Sequence, residues 1–385
     1  YTISTDSNGC ATVCDIPVGK YTISEIETPE EYKQPNDIAV DVKWDGSTEY
    51  TVSGKNDYTA GNEYLSLDTV TNVSMKNTLK RVTVNGIKKD NEGETVSGAI
   101  FGIFKSTETN FVKENALALS TSDEKGLFSF SNVPFGKYIV AEISAPDGYL
   151  ADSTPRYIEV NGENLNIQVS FVNTVIKGQI NIYKTGEGFA TVEENNGIYK
   201  AIYKEVGLQN VYFDIYAAND IYKPNGTKAY SKGEFVESLT TDENGEAVSS
   251  LLYLGSYNIV ETKTLNGYKI NKSVINVSLN SQDDKSIVIK DVNVENQRQH
   301  LSVELTKSME VDNEFGIGNN NEYKDVVFGL FATNDIVSPD GSIIPADGLI
   351  STASPNFDGY LNFDADLPYG YNYYVKEIKT NEKYI

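Results

Sequence analysis

The stretch GKYIVAEISAPDGY, residues 136–149, decides how the chain reads. A run of strand-forming residues carries one acidic side chain, Glu142, with Tyr138 before it and Tyr149 after it. The same spacing recurs as Tyr21–Glu25–Tyr32, Tyr257–Glu261–Tyr268 and Tyr373–Glu377–Tyr384. One unit is therefore repeated in tandem. Each copy places a carboxyl inside an apolar strand, where burial is unfavourable unless the group has partners.

A second pattern runs in step with the first. Asn77, Asn173 and Asn296 each precede a lysine by eleven residues: Lys88, Lys184 and Lys307. Around these lysines the chain alternates, as in Val84, Gly86, Lys88 and Ile180, Ile182, Lys184, and again Val303, Leu305, Lys307. Alternation by two puts each lysine on the apolar face of a strand. Lys89 falls on the opposite face, so Lys88 is the candidate in that repeat. The asparagines close apolar strands such as Val169–Phe171–Asn173.

Between these landmarks lie short strands and turns. Aromatic pairs such as Phe101 and Phe104, or Phe213 and Tyr216, mark half-buried strands. Asp-x-x-Gly at Asp6–Gly9, Asp123–Gly126 and Asp242–Gly245 reads as a hairpin turn rather than a calcium loop, because the distal ligand spacing of an EF-hand is missing. Val, Ile, Tyr and Thr dominate and helical periodicity is nearly absent, which predicts an all-β sandwich in each repeat. Boundaries are expected at 1–78, 79–174, 175–297 and 298–385, joined by very short linkers, so the repeats should be stacked end to end. The first is read as truncated at its N-terminus and the last at its C-terminus, making the chain part of a longer protein.

Two repeats carry insertions. Lys184 and Phe213 are 29 residues apart, against 13 between Lys88 and Phe101. The extra stretch contains Tyr199 and Tyr203. The first repeat has a long return with Trp44, Tyr50, Tyr58 and Tyr64. Trp44, Tyr50, Tyr199 and Tyr203 are candidate contacts for a carbohydrate or a host protein, since added loops and aromatic platforms suit such ligands. The blander expectation is a solvated loop with its aromatics packed on the sandwich.

Composition narrows the classes. With 32 basic and 55 acidic residues, the formal net charge is −23. Such a balance disfavours nucleic acid and anionic membranes as partners. No apolar run is long enough to span a membrane and no signal peptide is visible. Cys10 and Cys14 are the only cysteines, and four positions apart on a strand they would sit ~13 Å from each other, too far to bridge. His300 is the single histidine, which argues against histidine triads and histidine metal sites. No metal, cofactor or enzymatic turnover is expected.

A lysine, an asparagine and a glutamate thus recur on apolar faces. They could form a buried ion pair beside a strand-end turn residue. They could also react: Lys and Asn can condense to an amide and release ammonia. Burial favours the neutral amine the attack requires, and a buried carboxyl can polarise the carbonyl and relay protons. Fixed proximity supplies a large effective molarity.

The lysine strand, the Tyr-x3-Glu phrase followed by Ala145-Pro146-Asp147-Gly148-Tyr149, and the closing asparagine together resemble Cna B-type domains. These are also called prealbumin-like or Spa-type pilin domains, from Gram-positive surface adhesins and pilins. The resemblance covers essentially the whole chain. It implies an all-β tandem array of Ig-like, prealbumin-like β-sandwich modules, each seven-stranded, with a spontaneous Lys–Asn isopeptide bond between first and last strands. Carried onto this sequence, it pairs Lys88 with Asn173 assisted by Glu142, and Lys184 with Asn296 assisted by Glu261. Glu25 and Asn77 would serve in the first repeat, and Lys307 and Glu377 in the fourth. Two repeats depart from the Ala-Pro-x-Gly-Tyr pattern: the third has Thr264-Leu265-Asn266-Gly267-Tyr268, and the fourth lacks both Pro and Gly there. The implied role is a structural stalk segment of an extracellular, cell-surface or cell-wall adhesin or pilus-like protein, in contact with neighbouring modules. Ligand-binding adhesive modules and a sortase-polymerised pilin backbone are the alternatives.

Overall fold

The computed structural model describes residues 1–43, 48–52, 58–65, 68–281 and 285–384, with main chain alone for 48–52, 58–65 and 68–74. Two units divide it, Tyr1–Val175 and Ile176–Ile385. Strands and turns make up the described residues, and the helical segments are single 3₁₀ turns at Lys113–Asn115 and Glu322–Asp325. The all-β expectation holds.

The second repeat shows the architecture most fully. One sheet runs in the order Leu127–Pro134, Arg81–Asp90, Ile167–Val175, Tyr149–Leu150. The facing sheet runs Ala118–Thr121, Ile100–Lys105, Gly136–Ser144, Arg156–Val160. Short Tyr149–Leu150 pairs with the asparagine strand and adds an eighth segment to the seven that the resemblance implied. Val84, Phe101, Ile103, Phe128, Val140, Val169 and Phe171 fill the space between the sheets. Phe101 and Phe128 stack with ring centroids 3.7 Å apart. Gly86 makes that stack possible, because a Cβ there would lie 2.1 Å from the Phe128 ring.

The first and last strands of the repeat are neighbours and run parallel. Phe171 lies opposite Lys88, and Asn173 opposite Asp90. Lys88 and Asn173 therefore share a face on a diagonal, within reach of a long side chain. The third repeat repeats this register, with Val294 opposite Lys184 and Asn296 opposite Gly186. Its second sheet runs Phe235–Thr240, Tyr212–Ala217, Gly255–Lys263, Ile275–Leu279.

The insertion in the third repeat is a β-hairpin, where the sequence reading expected a loop. The lysine strand continues to Asn195 and returns as Ile198–Gly207. Asn196 (φ 53°) and Gly197 (φ 78°) form the turn, and two successive positive φ angles match the right-handed twist of a hairpin. The hairpin lies on the fourth repeat. Phe189, Val192 and Tyr199 pack against a core that includes Phe328, Leu330 and Leu361. Ile198 pairs in parallel with Leu349, and the Val192 N–H donates to Ser342 Oγ at 2.7 Å.

Candidate isopeptide sites

In the second repeat the sandwich closes over three polar side chains. Lys88 and Asn173 are fully buried and Glu142 is 8% exposed. Lys88 and Asn173 come from neighbouring strands of one sheet, and Glu142 from the facing sheet. The Lys88 ammonium donates to Glu142 Oε2 at 2.8 Å and also to Asn173 Oδ1. Asn173 Nδ2 donates to Glu142 Oε1 at 2.8 Å. One carboxylate thus holds the amine with one oxygen and the amide nitrogen with the other. Phe101 and Phe171 flank the amine, each ring centre 5.8 Å from Nζ. Burial among these rings lowers the Lys88 pKa, and Glu142 opposes the shift. Lys89 points away and is exposed.

The third repeat holds the same residue types in a different hydrogen-bond pattern. Lys184, Glu261 and Asn296 are buried. Asn296 Nδ2 donates to Glu261 Oε1 at 2.5 Å and to Thr264 Oγ1 at 2.8 Å. Lys184 Nζ instead donates to the carbonyls of Thr185 and Val294, both at 3.1 Å. Glu261 Oε2 and Asn296 Oδ1 have no hydrogen-bond partner among the described residues. Burial pulls the Lys184 pKa down to about 8 against the opposing charges of Glu261 and Glu295. The amide nitrogen is seated on the carboxylate, while the amine faces backbone.

The outer repeats each show half of the arrangement. In the first, Asn77 Nδ2 donates to Glu25 Oε1 at 3.0 Å. In the fourth, Lys307 Nζ and Glu377 Oε2 lie 2.8 Å apart with both side chains about a quarter exposed. They line a cleft of about 480 Å³ with Met309, Ile378 and Tyr384.

Sequence reasoning treated the Asp-x-x-Gly turns only as punctuation, whereas the structure seats Asp123–Gly126 and Asp242–Gly245, and the Asn356–Gly359 turn of the fourth repeat, on the lysines. Gly126, Gly245 and Gly359 accept the backbone N–H of Lys88, Lys184 and Lys307 at 2.7, 2.8 and 2.8 Å. Each glycine has positive φ, and a Cβ would fall 2.2, 2.3 and 2.0 Å from the carbonyl oxygen of the same lysine. The turn aspartates cap their own loops: Asp123 accepts the N–H groups of Lys125 and Leu127 at 2.9 and 2.8 Å. Asp6 and Asp242 do the same in their turns. The recurrence of one such turn glycine between the lysine and the glutamate of the second, third and fourth repeats was the available signal. Gly126→Ala should therefore destabilise the second repeat by about 1–3 kcal/mol. Urea unfolding in an Asn173→Ala background, where no cross-link can mask the effect, would measure it.

The tyrosines of the repeat phrase lock its ends. Tyr21, Tyr257 and Tyr373 donate to carbonyls of the turn before the glutamate strand, at Pro17, Tyr253 and Pro368. Tyr268 and Tyr384 donate to Glu187 and Glu310, each three residues beyond the lysine of its repeat.

The profile of the SpaA prealbumin-like fold domain matches residues 1–57, 82–175 and 198–293, more than half of the chain. The chain belongs to the SpaA prealbumin-like fold domain family. Serine-aspartate repeat-containing protein F of Staphylococcus epidermidis is 26% identical over 263 residues, covering 66% of this chain and 15% of that protein. The Bacillus anthracis TIE protein superposes with a TM-score of 0.54 at 21% identity, covering 98% of this chain and 64% of that one. This SpaA-family chain thus spans only part of either relative's length. The matched stretches are prealbumin-like domains.

Of the aromatic candidates for ligand contact, Trp44 lies outside the described residues and Tyr50 is described by its main chain alone. Tyr199 packs on the core of the fourth repeat. Tyr203 lies beneath the Arg298 guanidinium, 3.6 Å from ring centre to carbon. Arg298 in turn forks onto Asp366 at 2.8 and 2.5 Å. Cys10 and Cys14 are exposed free thiols.

Proposed function

We propose that this chain is a load-bearing stalk segment of a cell-surface adhesin or pilus-like protein, divided at residues 78, 174 and 297, whose inner repeats staple themselves with Lys–Asn isopeptide bonds. The bridging carboxylate of Glu142 carries this reading. The Lys88 ammonium passes a proton to Glu142 Oε2, and the neutral amine attacks Cγ of Asn173. The Nζ–Cγ bond forms, Oε1 gives the proton to Nδ2, and the Cγ–Nδ2 bond breaks to release ammonia. The second amine proton passes from Nζ to Glu142, leaving a neutral amide beside a protonated carboxyl. Each transfer spans a contact of 2.8 Å. Lone buried charges are unfavourable, and condensation removes both the ammonium and the polar amide nitrogen.

The mechanical consequence follows from the topology. Lys88 and Asn173 lie on the first and last strands of their repeat, which are hydrogen-bonded in parallel. A covalent bond between them carries tension from one end of the repeat to the other without shearing the ladder. Extracellular display at a cell wall is the setting in which such a device is useful. Intact mass of the denatured chain, with peptide mapping across both pairs, tests the reading. Loss of one ammonia per cross-linked pair supports it, and full mass with no cross-linked peptide overturns it.

The third repeat adds a pH test. Attack requires neutral Lys184, whose pKa is held near about 8 by burial. Two units below that value only about 1% of the amine is neutral. Formation of the Lys184–Asn296 bond should therefore accelerate as pH rises toward 8 and level off above it. It should also trail the Lys88–Asn173 bond, because Lys184 must first leave the carbonyls of Thr185 and Val294. A time course of cross-linked peptide at several pH values would show this, and a flat profile would contradict it.

A further inference from the structure

Attack on Asn173 Cγ moves negative charge onto Oδ1, and Glu142, an acceptor facing the two nitrogens, gives that oxygen no donor. The main-chain N–H of Asp152 does. It points at Asn173 Oδ1 at 2.8 Å and at Glu142 Oε2 at 3.0 Å. Asp152 lies beyond Tyr149, in the segment between the strands Tyr149–Leu150 and Arg156–Val160.

Its own carboxylate fixes that amide. Asp152 Oδ1 accepts the Thr154 N–H at 3.1 Å, and Oδ2 accepts the Val172 N–H at 3.1 Å and the Arg156 guanidinium at 2.7 Å. Val172 is the neighbour of Asn173, so the donor is tied to the strand that carries the reacting carbonyl. Arg156 is held in place over the Phe171 ring, 4.4 Å from its centre, and donates to the Ser170 carbonyl at 3.1 Å.

We propose that the Asp152 N–H is the oxyanion donor for the Lys88–Asn173 condensation and that the Asp152 carboxylate is the positioning group that aims it. This rests on the isopeptide reading of the second repeat. A fixed donor at the oxygen where charge develops is worth roughly 10²–10³ in rate. The Nζ–Cγ bond forms while the carbonyl electron pair shifts to Oδ1 under the N–H. The pair then returns as Cγ–Nδ2 breaks, with protons moving through Glu142 and ammonia leaving.

The third repeat supplies an internal contrast. Asn271 stands three residues after Tyr268, as Asp152 stands three after Tyr149. Its side chain accepts the Ser273 N–H at 3.0 Å, reproducing the turn. Yet the buried Asn296 Oδ1 has no hydrogen-bond partner among the described residues. The turn is retained there without the donor, which is a second reason for the third repeat to react more slowly.

The test uses the full chain made by cell-free synthesis, quenched into denaturant at intervals and mapped for the Lys88–Asn173 peptide. Asp152→Pro removes the N–H and should slow bond formation by roughly 10²–10³-fold. Asp152→Ala keeps the N–H but frees it, giving an intermediate rate, and Asp152→Asn should recover most of that loss. Thermal unfolding of Lys88→Ala with and without Asp152→Pro reports whether proline disturbs the fold. Where it does, replacing the residue-152 amide by an ester, which deletes only the N–H, decides instead. Wild-type cross-linking with an unslowed, folded Asp152→Pro or ester variant overturns this inference alone. A wild-type chain that never cross-links overturns the isopeptide reading itself.

Discussion

Glu142→Gln is expected to yield a second repeat that folds and stays uncross-linked, retaining the ammonia that the wild-type chain loses. Glutamine matches the shape of the carboxyl and can still accept from Lys88 with its carbonyl oxygen. It cannot take up the amine proton and return one to the leaving nitrogen, so both transfers fail together. The stability consequence is isolated by Asn173→Ala, which leaves the Lys88–Glu142 pair in place. The cross-link would close a loop of 85 residues. By the chain-entropy argument for covalent closure, that is worth roughly 4–5 kcal/mol. For a domain of this size the loss corresponds to on the order of 20 °C in Tm. Calorimetry of the full chain should show the transition of the second repeat falling by this amount. An unchanged transition would mean that no covalent bond was there to lose.

How much of this was legible beforehand depends on which side chains set the period. Lys88, Glu142 and Asn173 stood out because polar groups on apolar strand faces are rare, and each recurs at fixed spacing. That the first and last strands are joined followed only from the resemblance, and their parallel pairing only from the structure, since no local signal encodes a partner about 80 residues away. Asp152 was invisible for a different reason: its role belongs to a main-chain N–H, which every non-proline residue has. Thr264 was seen only as a departure from the Ala-Pro-x-Gly-Tyr pattern, whereas its hydroxyl takes a hydrogen bond from Asn296 Nδ2. The inserted hairpin was misread although Asn196–Gly197 is a strong turn signal. Its strands alternate weakly because the surface they bury against lies in the next repeat, and one repeat's pattern cannot show that.

Excising that hairpin should therefore damage the repeat it covers more than the repeat it grows from. Replacing residues 188–206 with a short Gly-containing turn keeps the lysine strand of the third repeat and its pairing with Ile287–Asn296. It removes Phe189, Val192 and Tyr199 from the core of the fourth repeat, together with the Ile198–Leu349 pairing and the bond to Ser342. Three partly buried apolar side chains at ~1–1.5 kcal/mol each amount to roughly 3–4 kcal/mol. Arg298 would also lose the Tyr203 ring beneath it. Hydrogen exchange on the full chain reads this strand by strand. Protection of Val327–Ala332 and Leu349–Ala353 should fall by roughly 10²–10³-fold, while Tyr212–Ala217 and Gly255–Lys263 keep theirs. Arg298→Ala should give the same pattern at smaller amplitude, about 1–2 kcal/mol, because Asp366 is partly exposed and can recover water. If the fourth-repeat strands kept full protection without the hairpin, its packing on them would be a surface contact with no share in their stability. If they lost it, the insertion acts as a brace that makes the third and fourth repeats one mechanical body, a joint that an isopeptide bond inside either repeat cannot provide.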